Sequence, residues 1–286
     1  ATPWSIEGYA QRIGTELLKE IGDRRVFMMV SGGVDSTVAF TVLNEVLGPH
    51  RVQGLLVDTG LMRKSEVRNI KNAFELFGID NLRYVDASDE FFANLKGVTE
   101  PEQKRKIIGD TFLAVQKRES DAMNLRIEDG WMLGQGTIYP DTIETGGTKH
   151  SDTIKTHHNR VEAVQKMIDA GLVIEPLKDL YKDEVRKLGE ELRLPPPLVW
   201  RHPFPGPGLG VRILCGAHPE SVPAQIADLD VPHKVLPIQS VGVQGDGRTY
   251  RHALSLFSEQ PCVVTAEHKT LATTIPNQYH DCNRVL

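Results

Sequence analysis

The fold is decided by residues 26–36, which read Val26-Phe27-Met28-Met29-Val30-Ser31-Gly32-Gly33-Val34-Asp35-Ser36. The first five residues form a continuous apolar run, which is typical of a strand buried on both faces of a parallel sheet. Two glycines follow, and an amphipathic helix is predicted from about Ser36 until Gly48-Pro49 ends it. The stretch therefore predicts a strand, a tight loop and a helix.

The same alternation continues outward from this stretch. Further strands are predicted at 52–57, 82–85, 131–134 and 172–174, and helices at 4–21, 64–77, 102–124 (one or two) and 182–192. Alternation of this kind indicates an α/β fold with a doubly wound, mainly parallel sheet. Ligands of such sheets bind beyond the carboxyl ends of the strands, so we expect the site at the loops after Val30, Val57 and Gly134.

A connector rich in proline and glycine interrupts the alternation. It reads Arg201-His202-Pro203-Phe204-Pro205-Gly206-Pro207-Gly208-Leu209-Gly210 and is expected to be rigid and irregular. We therefore predict an α/β domain at 1–212 and a smaller α+β domain at 213–286. The second domain is too short for a robust core of its own, so we expect it to pack on a second copy as a homodimer.

Composition and charge narrow the class of protein. The chain has 286 residues and a formal net charge of -5, which argues against a dedicated nucleic-acid binder. No apolar stretch suits a membrane span and no export leader is apparent, so a cytoplasmic protein is expected. The three cysteines, Cys215, Cys262 and Cys282, include no CxxC pair, so neither a zinc knuckle nor a redox pair is predicted.

The loop at residues 31–36 has the chemistry of a phosphate site. A helix N-terminus carries unpaired N–H groups and the positive end of the helix dipole. Gly32 and Gly33 let the backbone approach a ligand closely, and Ser31 and Ser36 add hydroxyl donors. Asp35 is suited instead to Mg²⁺ or to capping the helix. The alternative is a tight turn without a ligand.

The loop lacks the Walker A ending and the GxGxxG pattern. It resembles the SGGxDS signature of the PP-loop ATP pyrophosphatases. In that family the loop grips the pyrophosphate end of ATP, and AMP is transferred to a substrate oxygen. The loop alone leaves open NAD synthetase, asparagine synthetase, argininosuccinate synthetase and the tRNA-thiolating enzymes.

Further motifs resemble the ATP pyrophosphatase and dimerisation domains of the GMP synthetases, from about residue 4 to residue 250. They are Val57-Asp58-Thr59-Gly60-Leu61-Met62-Arg63, the stretches 104–109, 134–144, 154–159 and 175–186, the connector 201–209 and the stretch 240–246. The resemblance implies an adenine nucleotide alpha hydrolase-like fold, with ATP and Mg²⁺ as cofactors. It implies that ATP adenylates the C2 oxygen of xanthosine monophosphate (XMP), and that ammonia then displaces AMP to give GMP.

The resemblance also implies a role for individual residues. The ATP-binding residues would be Ser31, Gly32, Gly33, Val34, Asp35, Ser36, Val57 and Gly134. The catalytic residues would be Asp35, Lys106, Lys155 and Lys182, and Mg²⁺ would be held by Asp35 and Asp141. XMP would contact Arg63, Arg201 and Asp246, with His202 close by. Lys155, His157 and His158 lie in a polar segment, residues 144–162, that is expected to act as a lid.

Other interpretations of these residues stay open. Arg63 could be a solvated residue at a helix start, and Asp246 could be a turn residue. The run Lys104-Arg105-Lys106 could be a solvated helix face. The pair His157-His158 lacks a third ligand at helical spacing, so zinc is not expected.

The sequence departs from the GMP synthetase pattern at three places. Arg160-Val161-Glu162 replaces the Val-Gly-Gly that commonly follows His-His-Asn, and the region after Arg212 is short. The family ending Lys-Pro-Pro-x-Thr, with its implied XMP ligands, is absent, so either that ending is missing here or XMP binding is incomplete. Together with Ala1, this favours missing or disordered segments. No glutaminase half is recognised, so ammonia is expected from a glutamine amidotransferase domain or subunit. Two rival functions remain, a tRNA-modifying PP-loop protein and a nonenzymatic nucleotide-binding relative.

Overall fold

The computed structural model describes residues 6–141, 162–215, 226, 228–244, 247–257 and 264–286. The chain divides into two units, one formed by Ala1–Asn94 with Ile108–Gly208 and the other by Leu95–Ile107 with Leu209–Leu286. The second unit therefore begins four residues earlier than the predicted boundary at residue 213, and it also takes in residues 95–107, which the prediction placed in the first domain. Whether the second unit forms a dimer stays a prediction.

In the first unit, strands and helices alternate along the chain. The strands are β1 (Arg25–Met29), β2 (Val52–Asp58), β3 (Leu82–Asp86), β4 (Trp131–Gly134) and β5 (Val173–Ile174). The helices are α1 (Ile6–Ile21), α2 (Val34–Leu47), α3 (Glu66–Leu76), α4 (Ser88–Leu95), α5 (Pro101–Ala122), α6 (Glu162–Asp169), α7 (Lys182–Glu191) and α8 (Pro196–Val199). A short 3₁₀ turn, Pro49–Arg51, joins α2 to β2. The last residue of α4 and the first turns of α5 belong to the second unit.

The five strands form one parallel sheet in the order β3-β2-β1-β4-β5, which confirms the predicted mainly parallel α/β fold. The chain moves outward from β1 in one direction to β3 and in the other direction to β5. The order reverses between β1 and β4, and the crevice at such a reversal is where ligands of these sheets bind. The loop after β1 therefore lies at the favoured position for a ligand.

The core of the first unit is built from the apolar faces that the sequence pattern indicates. Tyr9, Ile13 and Leu17 of α1 are spaced four residues apart and are all buried. Helix α2 is buried along most of its length, and its Phe40 ring meets that of Phe74 of α3 edge to face, with centroids 5.5 Å apart. This packing fixes the direction in which α2 leaves the loop after β1.

The second unit contains a three-stranded sheet and a helix. Its elements are the short helix α9 (Leu209–Arg212), β6 (His233–Gln244), β7 (Gly247–Leu256), α10 (Ala266–Gln278) and β8 (Cys282–Val285). Strand β7 lies in the middle, antiparallel to β6 and parallel to β8. A small cluster of Val235, Leu254, Ile275 and Cys282 forms its apolar centre. Among the described residues, no helix of either unit has the length and apolar character that a bilayer span requires.

Candidate active site

The loop between β1 and α2 is held together by its own serines. Ser36 Oγ donates to Gly33 O at 3.1 Å and accepts from Ser31 N at 3.2 Å, while Ser31 Oγ accepts from Gly33 N at 3.3 Å. The first bond inside the helix runs from Thr37 N to Gly33 O at 3.0 Å. The N–H groups of residues 34–36, which lie between Gly33 and Thr37, have no partner within the helix and point out of its first turn. This arrangement is suited to an anion such as a phosphate.

Gly32 occupies a position that a larger residue would strain. Its φ is +74°, and a Cβ there would collide with the side chain of Ile70 in α3. The same Cβ would lie 3.4 Å from Nη1 of Arg201, so the loop and the start of the connector meet at this glycine. Glycine is therefore required both by the backbone and by this close approach.

Gly136 performs a similar role for the loop after β4. A Cβ there would lie 3.1 Å from Ser36 N and 3.2 Å from the carbonyl carbon of Asp35. These are backbone atoms of the first turn of α2, which cannot give way as a flexible side chain can. The absence of a side chain at Gly136 thus lets the loop after β4 lie directly against the candidate phosphate site.

Asp35 and Lys182 are 147 residues apart in sequence but lie side by side in the first unit. Lys182 Nζ donates to Asp35 Oδ2 at 2.5 Å, and both side chains are partly buried. Lys182 is the first residue of α7, whose start is fixed by a bond from Tyr181 N to Glu184 Oε2 at 2.8 Å. The pair places one cation and one carboxylate beside the loop.

The second oxygen of Asp35 is suited to a divalent cation. Asp35 Oδ1 is buried and has no hydrogen-bond partner among the described residues. No group of three His, Cys, Asp or Glu side chains gathers there to form a metal cage in the described part of the chain. Mg²⁺ is commonly held by one or two carboxylates together with substrate phosphates, so a single free carboxylate oxygen at a phosphate loop fits this ion.

A buried network links the loop after β2 to the connector. Glu66, the first residue of α3, forms an ion pair with Arg201, and their side chains are only 8% and 12% exposed. Glu66 Oε2 also accepts from Arg63 N at 2.8 Å. Burial and the neighbouring charge of Arg63 lower the pKa of Arg201. One carboxylate therefore holds both of the arginines that were predicted to bind XMP.

The side chain of Arg63 contacts the connector directly. Its Nη2 donates to the carbonyl oxygens of His202 at 2.8 Å and Pro203 at 3.1 Å, and its guanidinium lies 4.4 Å from the ring centroid of Phe204. Farther along, Gly208 has a φ of +61°, and a Cβ there would collide with Leu61 O. The connector therefore packs closely on the loop after β2, and the interpretation of Arg63 as a merely solvated residue is wrong.

A cavity of about 590 Å³ opens beside this network, along α3. Four cationic side chains line it, Arg63, Lys64, Arg68 and Lys71. At its far side Tyr84 OH donates to Asp58 Oδ2 at 3.0 Å, and burial together with this bond raises the pKa of Tyr84 to about 12. The carboxylates of Asp58 and Glu66 also line the cavity, so its lining carries a net positive charge, as suits an anionic ligand.

The remaining predicted residues have different settings. Val57 is buried near the end of β2, and Gly134 sits where a Cβ would lie 3.0 Å from Val26 Cγ1. The strand packing alone accounts for that glycine, and the ATP-binding role of both residues stays a prediction. Asp141 Oδ2 accepts from Ile138 N at 3.2 Å, and its role as a metal ligand also stays a prediction.

The basic run at the start of α5 is only partly solvated. Lys106 is exposed and belongs to the second unit, and its catalytic role stays a prediction. Lys104 is 7% exposed, so the interpretation of the whole run as a solvated face is wrong at this residue. Lys155, His157, His158 and Asp246 lie outside the described residues, as does nearly all of the predicted lid.

Sequence reasoning missed three residues of this site. Glu66 and Gly136 were each within or beside a quoted motif, and Phe204 was in the connector, but none was assigned a role. The spacing of Arg63 and Glu66 at a predicted helix start could have suggested the backbone bond between them. The contacts of Gly136 and Phe204 join segments that are distant in sequence, and no local sequence pattern predicts them.

The chain matches one known family over part of its length and several known proteins over nearly all of it. Residues 9–108 match the family described as NAD synthase. The chain is 46% identical over 99% of its length to a probable glutamine-hydrolysing GMP synthase of Leptospira interrogans, of which it covers 48%. It is 44% identical, again over 99% of its length, to the GMP synthase of Saccharomyces cerevisiae, of which it covers 59%. The chain thus spans about half the length of the curated relatives it matches.

A solved structure supports the fold independently of these sequences. The NMN synthetase of Francisella tularensis superposes with a TM-score of 0.50 over 73% of this chain and 79% of its own, at 15% identity. At that identity the likeness bears on the fold alone, and it agrees with the parallel sheet described above. Over nearly its whole length the chain is therefore similar to about half of each of these proteins named GMP synthase, and a loop with the SGGxDS pattern lies between β1 and α2.

Proposed function

We propose that this chain catalyses the ATP-dependent amination of XMP to GMP. The observation that carries the proposal is the close approach of two sites at Gly32, where a Cβ would lie 3.4 Å from Nη1 of Arg201 in the connector. A site for the phosphates of ATP thereby adjoins a cationic site that the family resemblance gives to XMP. The high identity to proteins named GMP synthase supports the same assignment.

The chemistry requires such neighbouring sites. The C2 oxygen of XMP is a poor leaving group, so ammonia cannot displace it directly. In the proposed first step that oxygen attacks the α-phosphorus of ATP, and the bond to pyrophosphate breaks. In the second step ammonia adds at C2, and the oxygen departs as part of AMP. The products are GMP, AMP and pyrophosphate, and both steps require the two nucleotides to be held in contact.

The residues of the PP-loop would bind the pyrophosphate end of ATP. The N–H groups of the first turn of α2 and the hydroxyls of Ser31 and Ser36 would donate to its oxygens. Lys182, now paired with Asp35, would supply a positive charge at the developing pyrophosphate. Mg²⁺, held by Asp35 and the phosphates, would neutralise charge on the triphosphate.

The network around Glu66 would position the second nucleotide. Glu66 holds the buried guanidinium of Arg201 in place, while Arg63 binds the connector to the loop after β2. A fixed guanidinium is suited to a phosphate or a purine oxygen because its donors are planar and pre-oriented. We assign Asp246 to the same nucleotide on the family resemblance alone.

The partners follow from the family as proposals. The relatives are named as glutamine-hydrolysing enzymes, and they are about twice as long as this chain. We therefore propose that a glutamine amidotransferase domain or subunit supplies the ammonia, that the second unit forms a homodimer, and that the enzyme works in the cytoplasm.

The direct test is to mix the protein with ATP, Mg²⁺, XMP and ammonium and to measure pyrophosphate and GMP. We expect both products in equal amounts and neither product when XMP is left out. Asp35→Asn should abolish the reaction without altering the circular dichroism spectrum. Release of pyrophosphate that does not depend on XMP would contradict the proposal, and so would ATP binding without turnover, which the nonenzymatic alternative predicts.

A further inference from the structure

A buried lysine and a cysteine meet in the second unit. Lys104 of α5 is 7% exposed, and its Nζ donates to Ile213 O at 3.0 Å and to Cys215 Sγ at 3.1 Å. The two side chains are 111 residues apart in sequence. Within the described ranges, no carboxylate lies at ion-pair distance from Lys104.

This arrangement leaves a buried positive charge with incomplete compensation. An ammonium taken out of water is costly unless a negative charge or several good acceptors replace the lost hydration. Ile213 O is one acceptor, and it also fixes Nζ in place beside the sulfur. The other acceptor, Cys215, can itself become negative, since a thiol loses its proton to give a thiolate. The thiolate would complete the ion pair and is also the reactive form of cysteine.

The two described cysteines of this unit, Cys215 and Cys282, differ in their burial and in their neighbours. Cys215 is partly exposed. Cys282 is 1% exposed in the apolar cluster of β8, and burial raises the pKa of its thiol. The sulfur of Cys282 lies in a cluster formed with Val235, Leu254 and Ile275. Cys215 therefore combines partial exposure with a cationic partner, whereas Cys282 is buried among apolar side chains.

We propose that Cys215 and Lys104 form an oxidant-responsive pair, with hydrogen peroxide or another hydroperoxide as the oxidant. The thiolate sulfur attacks one peroxide oxygen, the O–O bond breaks, and sulfur is oxidised to a sulfenic acid while peroxide is reduced. The departing hydroxide takes a proton from the Lys104 ammonium and leaves as water. Atoms and charge balance, and Lys104 is left as a neutral amine.

The same geometry sets up a second step. The neutral amine of Lys104 then stands within contact distance of the sulfenic sulfur. Attack of Nζ on that sulfur forms an S–N bond, and the hydroxyl group departs as water with one of the amine's protons. The resulting sulfenamide joins residues 104 and 215 and is reduced again by thiols. The segment that follows the connector would thus be tied covalently to the start of α5.

The test uses the whole chain carrying Cys262→Ser, because Cys262 lies outside the described residues. The protein is treated with hydrogen peroxide in the presence of dimedone, which traps sulfenic acids, and the labelled peptides are quantified by mass spectrometry. We expect label on Cys215 and not on Cys282. Lys104→Met should slow the labelling of Cys215 by about tenfold, whereas Lys117→Met, at an exposed position of the same helix, should leave it unchanged.

A second variant keeps the test decisive if Lys104→Met does not fold. Lys104→Arg retains the positive charge, so sulfenic acid should still form at Cys215, but the S–N bond should not. Without dimedone, the unsubstituted lysine should give a cross-linked pair of peptides lacking two hydrogens, which dithiothreitol separates. Equal labelling of Cys215 and Cys282, or labelling of Cys215 that is as fast in Lys104→Met, would overturn the proposal. Absence of the cross-link would overturn its second step.

Discussion

Replacing Glu66 with glutamine tests whether both arginines of the candidate active site depend on one carboxylate. Glu66 pairs with Arg201 and accepts from Arg63 N at 2.8 Å. Glutamine keeps the size of the side chain and can still accept the backbone bond, but it removes the negative charge. Arg201, at 12% exposure, would then be a buried cation with Arg63 as its neighbour. An arginine cannot escape this cost by losing its proton.

The expected magnitude follows from this burial. Removal of one partner from a buried ion pair costs about 3–5 kcal/mol, whereas an exposed pair contributes about 0–1 kcal/mol. Since glutamine retains one hydrogen bond, we expect the free energy of unfolding of the first unit to fall by about 3 kcal/mol. That is a large part of the roughly 5–15 kcal/mol that is typical of a folded protein.

Urea unfolding followed by tryptophan fluorescence measures this loss. No tryptophan occurs within residues 95–107 or after Trp200, so the signal reports on the first unit. Glu75→Gln, at an exposed position of the same helix, is the matched control and should change the free energy by less than about 0.5 kcal/mol. A double-mutant cycle with Arg201→Gln should give a coupling above about 1 kcal/mol. A loss no larger than that of the control, or strictly additive losses, would refute the reasoning.

Two glycine substitutions separate the ATP half of the site from the XMP half. Gly136→Ala puts a Cβ 3.1 Å from Ser36 N and should raise the KM for ATP by about tenfold. The control Gly109→Ala, whose Cβ would meet open space, should leave that KM unchanged. An unchanged KM in Gly136→Ala would contradict the packing described for the loop after β4. Gly208→Ala collides with Leu61 O and should raise the KM for XMP by about tenfold while leaving the KM for ATP unchanged, with Gly206→Ala of the same connector as control. Steady-state kinetics of pyrophosphate release checks both, and an equal rise in both KM values for Gly208→Ala would argue against a divided site.

Much of the fold could be predicted because its signals are local. The apolar run before Ser31 and the glycines after it mark β1 and the loop, and Trp131–Gly134 is a strand in both the prediction and the structure. Helix α2 begins at Val34 rather than Ser36, a difference of two residues that lies within the ordinary variation of helix boundaries. Helix α4 was not predicted at all. Its eight residues, Ser88–Leu95, bury only Phe91, which is too weak an apolar pattern to register.

The contacts of the site were less accessible from the sequence. Asp35 and Lys182 are 147 residues apart, and only the family resemblance placed them at one site. The carboxylate of Glu66 and the thiol of Cys215 contact residues that are more than a hundred positions away in the sequence. The spacing of hydrophobic residues carries no information on such pairs. The membership of residues 95–107 in the second unit has the same origin, because it rests on contacts with segments more than a hundred residues away.

The central claim is that ATP activates the C2 oxygen of XMP, and an isotope label on that oxygen tests it most directly. XMP carrying a heavy oxygen isotope at C2 is incubated with the protein, ATP, Mg²⁺ and ammonium, and the products are analysed by mass spectrometry. The account predicts that the label appears in the phosphate group of AMP and in neither pyrophosphate nor GMP. Label in pyrophosphate or in solvent water, with unlabelled AMP, would contradict it.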